Sequence, residues 1–252
     1  MRDARGREWL SQSTRDGIRT GLPFGEAEMA GWDECAPTID ACTVDGRELP
    51  DHGDAWDVAW DVVHDAAGTA LVTYGASWPY ELRRAASATT DGGIRLTYTA
   101  RATDRPVPFL WAAHPQLAAV PGTRIELSPT PAAFVDVLDP ARPRVPWRPD
   151  LLTLADVPAG AWRKLYVDPA ERVSSATLVQ PDGSRLRFAW SPECRYLGLW
   201  FDDGAYAEHP VIAIEPTLGF ADSLAAAADL GTCPLLSPGT PLRWWVEVHA
   251  VD

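Results

Sequence analysis

Over much of this chain apolar and polar residues alternate one by one, and no other feature restricts the fold so strongly. In Ile94-Arg95-Leu96-Thr97-Tyr98-Thr99-Ala100 the alternation puts Ile94, Leu96 and Tyr98 on one face. Residues 184–190 do the same with Leu186, Phe188 and Trp190, and residues 242–250 with Leu242, Trp244, Val246 and Val248. Successive side chains of a strand point to opposite sides, so these runs predict half-buried antiparallel strands. Turn residues punctuate them. Pro181-Asp182-Gly183 predicts a hairpin between residues 176–179 and 184–190, while Asp91-Gly92-Gly93 opens another strand and Thr103-Asp104-Arg105-Pro106 closes it. Helix signal is sparse: residues 222–231 offer Asp222 or Ser223 as a cap, an alanine run and Gly231 as a stop, about two turns in all. The pattern predicts an all-β fold, a sandwich or barrel with few short helices.

Composition fits one domain spanning residues 1–252, with residues 1–24 as a less ordered N-terminal extension. The chain is 46% hydrophobic and holds twelve tryptophans, enough for a large core. Eight prolines fall within residues 121–160, which read as an elaborate surface loop, because Trp147, Leu151 and Leu152 lie among them and both flanks have strand character. No run approaches the ~18 apolar residues of a membrane span, and no apolar stretch follows the charged N-terminus as in a secretory signal, so the expectation is a cytoplasmic protein with no membrane partner. A net charge of −13 and a single lysine, Lys164, argue against nucleic acid, whose binders carry clustered basic residues. Cys35, Cys42, Cys194 and Cys233 form no C-x-x-C pair and read as free thiols.

Three motifs could carry chemistry. Pro50-Asp51-His52-Gly53-Asp54-Ala55-Trp56 places an imidazole on a loop, where it is either a ligand contact or an exposed bystander. Phe109-Leu110-Trp111-Ala112-Ala113-His114-Pro115 ends an apolar run in His114, and the following proline keeps that residue extended. A core histidine bonded to a carbonyl is the alternative. Val211-Ile212-Ala213-Ile214-Glu215-Pro216 runs four apolar residues into a carboxylate. Burying that carboxylate is costly without a partner and raises its pKa toward the range of a general base. A structural ion pair would explain it equally.

The ordered set His-Gly, His-Pro and Glu-Pro, with a Pro238-Gly239 turn before an aromatic final strand, resembles the aldose 1-epimerase superfamily. Gly31-Trp32-Asp33-Glu34-Cys35-Ala36-Pro37-Thr38-Ile39 and Tyr74-Gly75-Ala76-Ser77-Trp78-Pro79-Tyr80-Glu81 are similar to segments of a bacterial branch of it, and the likeness covers roughly residues 25–252. The resemblance implies an antiparallel β-supersandwich of the galactose mutarotase-like type with a sugar in an open cleft. It also implies Glu215 as the base that deprotonates the anomeric hydroxyl, His114 as the acid at the ring oxygen, and His52 as its support. Ring opening, rotation about C1–C2 and reclosure then exchange the anomers. Such chemistry needs no metal or organic cofactor.

Trp32, Asp33, Asp54, Trp56, Trp78 and Trp111 lie near the motifs and are the candidates for sugar contact, with core packing the alternative for the tryptophans. The sugar-phosphate branch of the family has an arginine two residues after its His-Gly. Here Asp54 and Ala55 follow Gly53, with Arg47, Arg83 and Arg84 as distant substitutes, which points to an unphosphorylated sugar. Asp202 and Asp203 are, with Asp33, candidates for the family's sugar-binding aspartate. Three readings stay open: a mutarotase-like isomerase, a carbohydrate-binding protein without turnover, and a metal-dependent hydrolase ligated by His52, His114 and Glu215. The last lacks the closely spaced ligand pair usual in such sites. A monomer and a homodimer are both compatible with the sequence.

Overall fold

The computed structural model describes residues 1–13, 21–27, 29–66, 68–139, 141 and 143–251. Among them the alternating runs become strands of two antiparallel sheets of eight strands each. One sheet runs Trp32–Cys35, Ala112–Pro115, Val211–Thr217, Tyr196–Asp202, Trp162–Val167, Ala133–Asp136 and Arg144–Pro146, with Leu117–Ala118 also paired to Val211–Thr217. The other runs Arg124–Ser128, Ser175–Val179, Arg185–Trp190, Leu242–Val251, Ile94–Ala102, Tyr80–Ala88, Gly68–Tyr74 and Asp61–Asp65. The hairpin predicted at Pro181-Asp182-Gly183 forms, pairing Ser175 with Ala189 through Val179 with Arg185.

The core lies between the two sheets. From the first sheet Leu165, Val167, Leu199, Phe201, Ile212 and Ile214 point inward. From the second come Tyr98, Phe188, Trp244 and Val246, and Tyr98 stacks on Trp244 at 5.4 Å. Each such side chain, fully buried, contributes about 1.5–3 kcal/mol. Because strand side chains alternate, the same first-sheet strands present a second set of residues to the opposite face. That face carries the pocket described below.

The short helix is Leu224–Asp229, with the Ser223 side chain accepting from the Ala226 amide as N-cap. Within the proline-rich stretch, Arg144–Pro146 forms an edge strand on Ala133–Asp136, a position where proline's missing N–H is tolerated. The turns that follow bury Leu151, Leu152 and Leu154. The expectation of a loose N-terminus is corrected for residues 1–13 and 21–24. Trp9 and Phe24 are buried, Leu10 bridges Leu117, and the Ser11 amide donates to the Gln116 carbonyl at 2.7 Å. Two large aromatic side chains cannot be left in water while core positions are open to them. The remainder of that segment, 14–20, lies outside the described residues. Among the described residues no helix is long and apolar enough to cross a membrane.

The turn that carries His52 depends on backbone contact. His52 and Gly53 both have positive φ, 59° and 73°, and the Asp54 amide donates to the Ala36 carbonyl at 2.8 Å. A Cβ on Gly53 would lie 1.9 Å from that carbonyl oxygen, whereas at Gly46, also at positive φ, nothing lies within 4 Å. Gly46→Ala therefore meets only the left-handed penalty of about 1–2 kcal/mol, while Gly53→Ala adds a backbone collision and costs at least about 3 kcal/mol. Chemical denaturation of the two variants measures the difference, and equal losses would contradict this account of the turn.

Candidate functional site

Val211–Thr217 is buried along its whole length and sits between Tyr196–Asp202 and Ala112–Pro115. Ile212 and Ile214 face the core, so Glu215 must face the opposite side. Its cross-strand partner is Gly198, at which a Cβ would come within 2.9 Å of Glu215 Oε2, so the glycine makes room for the carboxylate. By the same alternation Trp162–Val167 sends Leu165 and Val167 inward and Trp162, Lys164 and Tyr166 toward Glu215.

Lys164 occupies the centre of this face. Its Nζ donates to Glu215 Oε2 and lies 3.6 Å from Asp222 Oδ1, which also accepts from the Tyr166 hydroxyl at 2.7 Å. Burial disfavours the ammonium, but Asp222 and Glu215 outweigh it and hold the Lys164 pKa above its ordinary value. Burial raises the Glu215 pKa, and Lys164 opposes that rise without cancelling it. Glu215 Oε1, by contrast, is buried without a hydrogen-bond partner among the described residues and lies 3.7 Å from His114 Nε2.

The two histidines meet in front of this cluster. His52, in its left-handed turn, stacks on Phe24 with ring centres 3.4 Å apart and planes 7° apart. Its ring centre is 5.4 Å from that of His114, which receives the edge of Phe24 at 5.6 Å. The Gln116 amide lies 2.9 Å from His114 Nδ1. A cavity of about 200 Å³ opens onto His52, His114, Lys164 and Asp222, with Asp40, Asp51, Phe24, Trp162, Trp200 and Tyr206 also on its wall. That is below the range of about 300–1,000 Å³ usual for drug-sized ligands and suits a single small ring. Trp162 and Trp200 stack at 5.1 Å and form an aromatic wall with Tyr206. A larger crevice of about 620 Å³ lies beneath the N-terminal turn, remote from all three motifs.

Of the sequence candidates, His52 and His114 line the cavity, while Glu215 lies directly behind His114 and Lys164 and is fully buried. Trp56 stands one layer back, with its ring edge-on to Phe24 at 5.0 Å. Asp33 is buried at the register position opposite His114. The remaining four are corrected. Trp32 faces the core side and stacks on Phe188, and Trp111 is fully buried and donates to Glu34 Oε2 at 2.8 Å. Trp78 is buried and donates to the Pro108 carbonyl at 2.8 Å, while Asp54 accepts from Ser77 and from the Tyr80 hydroxyl at 2.5 Å. The polar atoms of Trp111, Trp78 and Asp54 are tied into the framework, because a buried donor or acceptor without a partner is costly.

Among the described residues no arginine lines the cavity. Arg83 pairs with Asp65, Arg84 with the buried Glu34, and Arg47 is exposed. Asp202 accepts from the amides of Ala205, Tyr206 and Ala207, which shapes the loop that delivers Tyr206 to the wall. Sequence reasoning missed Lys164, Asp222, Phe24 and the Trp162–Trp200 wall. For Lys164 a signal existed: it is the lone lysine, on a strand whose alternate residues Trp162, Lys164 and Tyr166 are aromatic or polar. Cys35, His52 and His114 are close enough to share a cation.

Two facing antiparallel sheets with a pocket on the outer face of one define a β-sandwich. The chain has the galactose mutarotase-like fold. No protein-family model and no curated protein matches the sequence. Among solved structures, the Slr1438 protein of Synechocystis sp. PCC 6803 superposes with a TM-score of 0.69 at 17% identity, over 88% of this chain and 78% of that one. A candidate aldose 1-epimerase from Escherichia coli K12 gives 0.70 at 17% identity, over 96% and 88%. The GalM/aldose epimerase homologue from C. elegans gives 0.62 at 12% identity, over 100% and 90%.

The buried cluster makes a prediction about stability. Lys164→Met leaves Glu215 and Asp222 buried without their cation and should cost about 3–5 kcal/mol. Without the ammonium the Glu215 pKa rises further above its unfolded value of ~4.3. A carboxyl raised on folding stabilises the fold below its unfolded pKa, and that stability is lost as pH rises through the folded value. The deficit of Lys164→Met relative to wild type should therefore be largest at neutral pH and shrink on acidification. Denaturant titrations across pH check this, and a pH-independent deficit would contradict it.

Proposed function

We propose that the pocket binds the reducing end of a neutral aldose and interconverts its anomers. The observation that carries this reading is the pair His114 Nε2 and Glu215 Oε1, 3.7 Å apart, with His114 on the wall of an aromatic-lined cavity and Glu215 behind it. The anomeric hydroxyl and the ring oxygen share one carbon, so an acid and a base that serve them must lie side by side. Lys164 holds Glu215 Oε2, which leaves Oε1 as the proton acceptor. His114 delivers a proton to the ring oxygen, and His52, stacked on Phe24, braces it from beside. The C1–O5 bond breaks, C1–C2 rotates, and the reverse proton transfers close the ring on its other face. A short swing of Lys164 toward Asp222 would give the sugar access to Oε1. Trp162 and Trp200 offer an apolar surface to the ring's C–H face.

Superfamily likeness in fold supports sugar chemistry without fixing it, since one fold serves several functions. A second reading, sugar binding without turnover, is favoured by one observation: Glu215 lies behind Lys164 and not on the cavity wall. The charge around the cavity applies to both readings. Asp40, Asp51, Asp222 and Glu215 face one lysine, so a neutral sugar is preferred to its phosphate.

Anomerisation followed by NMR across a panel of aldoses tests the proposal. Glu215→Gln should lower kcat by about two to four orders of magnitude, while sugar affinity stays within about tenfold, and the 6-phosphates should bind more weakly than the free sugars. An active wild type whose rate survived Glu215→Gln would remove Glu215 from the mechanism. Binding by a wild type without turnover would establish the second reading.

A further inference from the structure

The geometry points to a binding site for a zinc-class divalent cation, built from Cys35, His52 and His114 beside the cavity, with the two histidines on its wall. The three residues come from separate segments: Cys35 ends a strand, His52 lies in the left-handed turn, and His114 belongs to Ala112–Pro115. Cys35 Sγ and one ring nitrogen of each histidine all lie within 4.8 Å of one another. One sulfur and two imidazoles make a borderline-soft donor set that suits Zn²⁺, whereas Mg²⁺ and Ca²⁺ demand oxygen. Tetrahedral zinc, with bonds of ~2.0–2.3 Å, holds its ligand atoms ~3.3–3.6 Å apart, so the side chains draw in by about an ångström on loading.

Two further observations point to a ligand. First, His114 has its other nitrogen engaged, with Nδ1 2.9 Å from the Gln116 amide, while His52 Nδ1 stands 3.1 Å from Asp51 Oδ2 without hydrogen-bond geometry. Metal-binding histidines are oriented by such outer partners, which leave Nε2 to face the ion. With the Gln116 amide turned so that its otherwise unpartnered Oε1 accepts from Nδ1–H, His114 offers Nε2 as a lone-pair donor. Second, Glu215 Oε1 is fully buried, lacks a hydrogen-bond partner among the described residues and stands 3.7 Å from His114 Nε2. That separation is too long for a hydrogen bond, so this oxygen stands beside the donor set with its lone pairs unused. The surrounding charge agrees, since Asp40, Asp51 and Asp222 line the cavity and, among the described residues, Lys164 is the only basic side chain there besides the histidines.

The metal site does not depend on sugar turnover. The two uses of His114 exclude one another, so a loaded site would hold sugar without opening its ring. Binding of Co²⁺ to the reduced, full-length protein, with no sugar present, tests the site through its absorption. One equivalent should produce a thiolate-to-cobalt charge-transfer band with the visible bands of tetrahedral cobalt, and Zn²⁺ should abolish both. Cys35→Ser should lose the charge-transfer band. A triple variant, Cys42→Ser, Cys194→Ser and Cys233→Ser, leaves Cys35 as the sole thiol and should keep it, which decides the matter even if Cys35→Ser does not fold. No band in the wild type, or a band that survives Cys35→Ser or disappears in the triple variant, would overturn the proposal.

Discussion

Lys164 reaches across the outer face of the first sheet to Glu215 and stands within an ion-pair distance of Asp222, and all three side chains are almost wholly withdrawn from water. Moving a carboxylate or ammonium out of water costs several kcal/mol per ion, and the attraction between them repays this only where the remaining lone pairs are also satisfied. Tyr166 does that for Asp222, and the backbone carbonyl of Asp222 in turn accepts from the Ile39 and Asp40 amides. The charge cluster thus ties the central strands to the segment that leads into the His52 turn. Both the fold of the pocket and its chemistry follow from where this one ammonium sits.

The strand period explains why such a cluster can exist inside an otherwise apolar protein. Leu165, Leu199, Phe201, Ile212 and Ile214 are committed to the space between the sheets, and the intervening residues must go to the other side. There the bulky Trp162 and Trp200 alternate with Gly198, which opens the space that Glu215 fills. A separate buried acid, Glu34, takes the opposite course. It lies on the core side of Trp32–Cys35, where Arg84, the Tyr98 hydroxyl and Trp111 Nε1 occupy both its oxygens. Glu34 is a fully satisfied structural group, while Glu215 keeps one oxygen without a hydrogen bond among the described residues. That difference separates framework from site.

Strands, hairpin and helix were legible in the sequence because they depend on local periodicity and turn chemistry. Residues 94–100 and 242–250 fall within strands, as do residues 184–190 apart from Ser184, with Tyr98, Phe188 and Trp244 buried as their parity requires. His52 and His114 could be picked out because glycine and proline neighbours fix their backbones. The tryptophans could not be sorted in the same way. Trp78 and Trp111 stand beside the motifs in sequence, yet their indole nitrogens find Pro108 and Glu34 in the framework. Proximity along the chain says nothing about which face of a sheet a side chain takes. Phe24, Lys164 and Asp222 reach the pocket only through long-range strand pairing and loop packing, which a single sequence does not display.

Because the chain has one lysine, isotope labelling of lysine alone yields a single side-chain signal, and that signal is Lys164. Following it by NMR through alkaline pH, with and without a neutral aldose, tests the central claim directly. The account predicts that Nζ remains an ammonium beyond the ordinary lysine pKa of ~10.4, held there by Asp222 and Glu215, and that its signal shifts when sugar enters the cavity. A Lys164 that lost its proton at or below that ordinary value, and whose signal ignored every aldose, would contradict it.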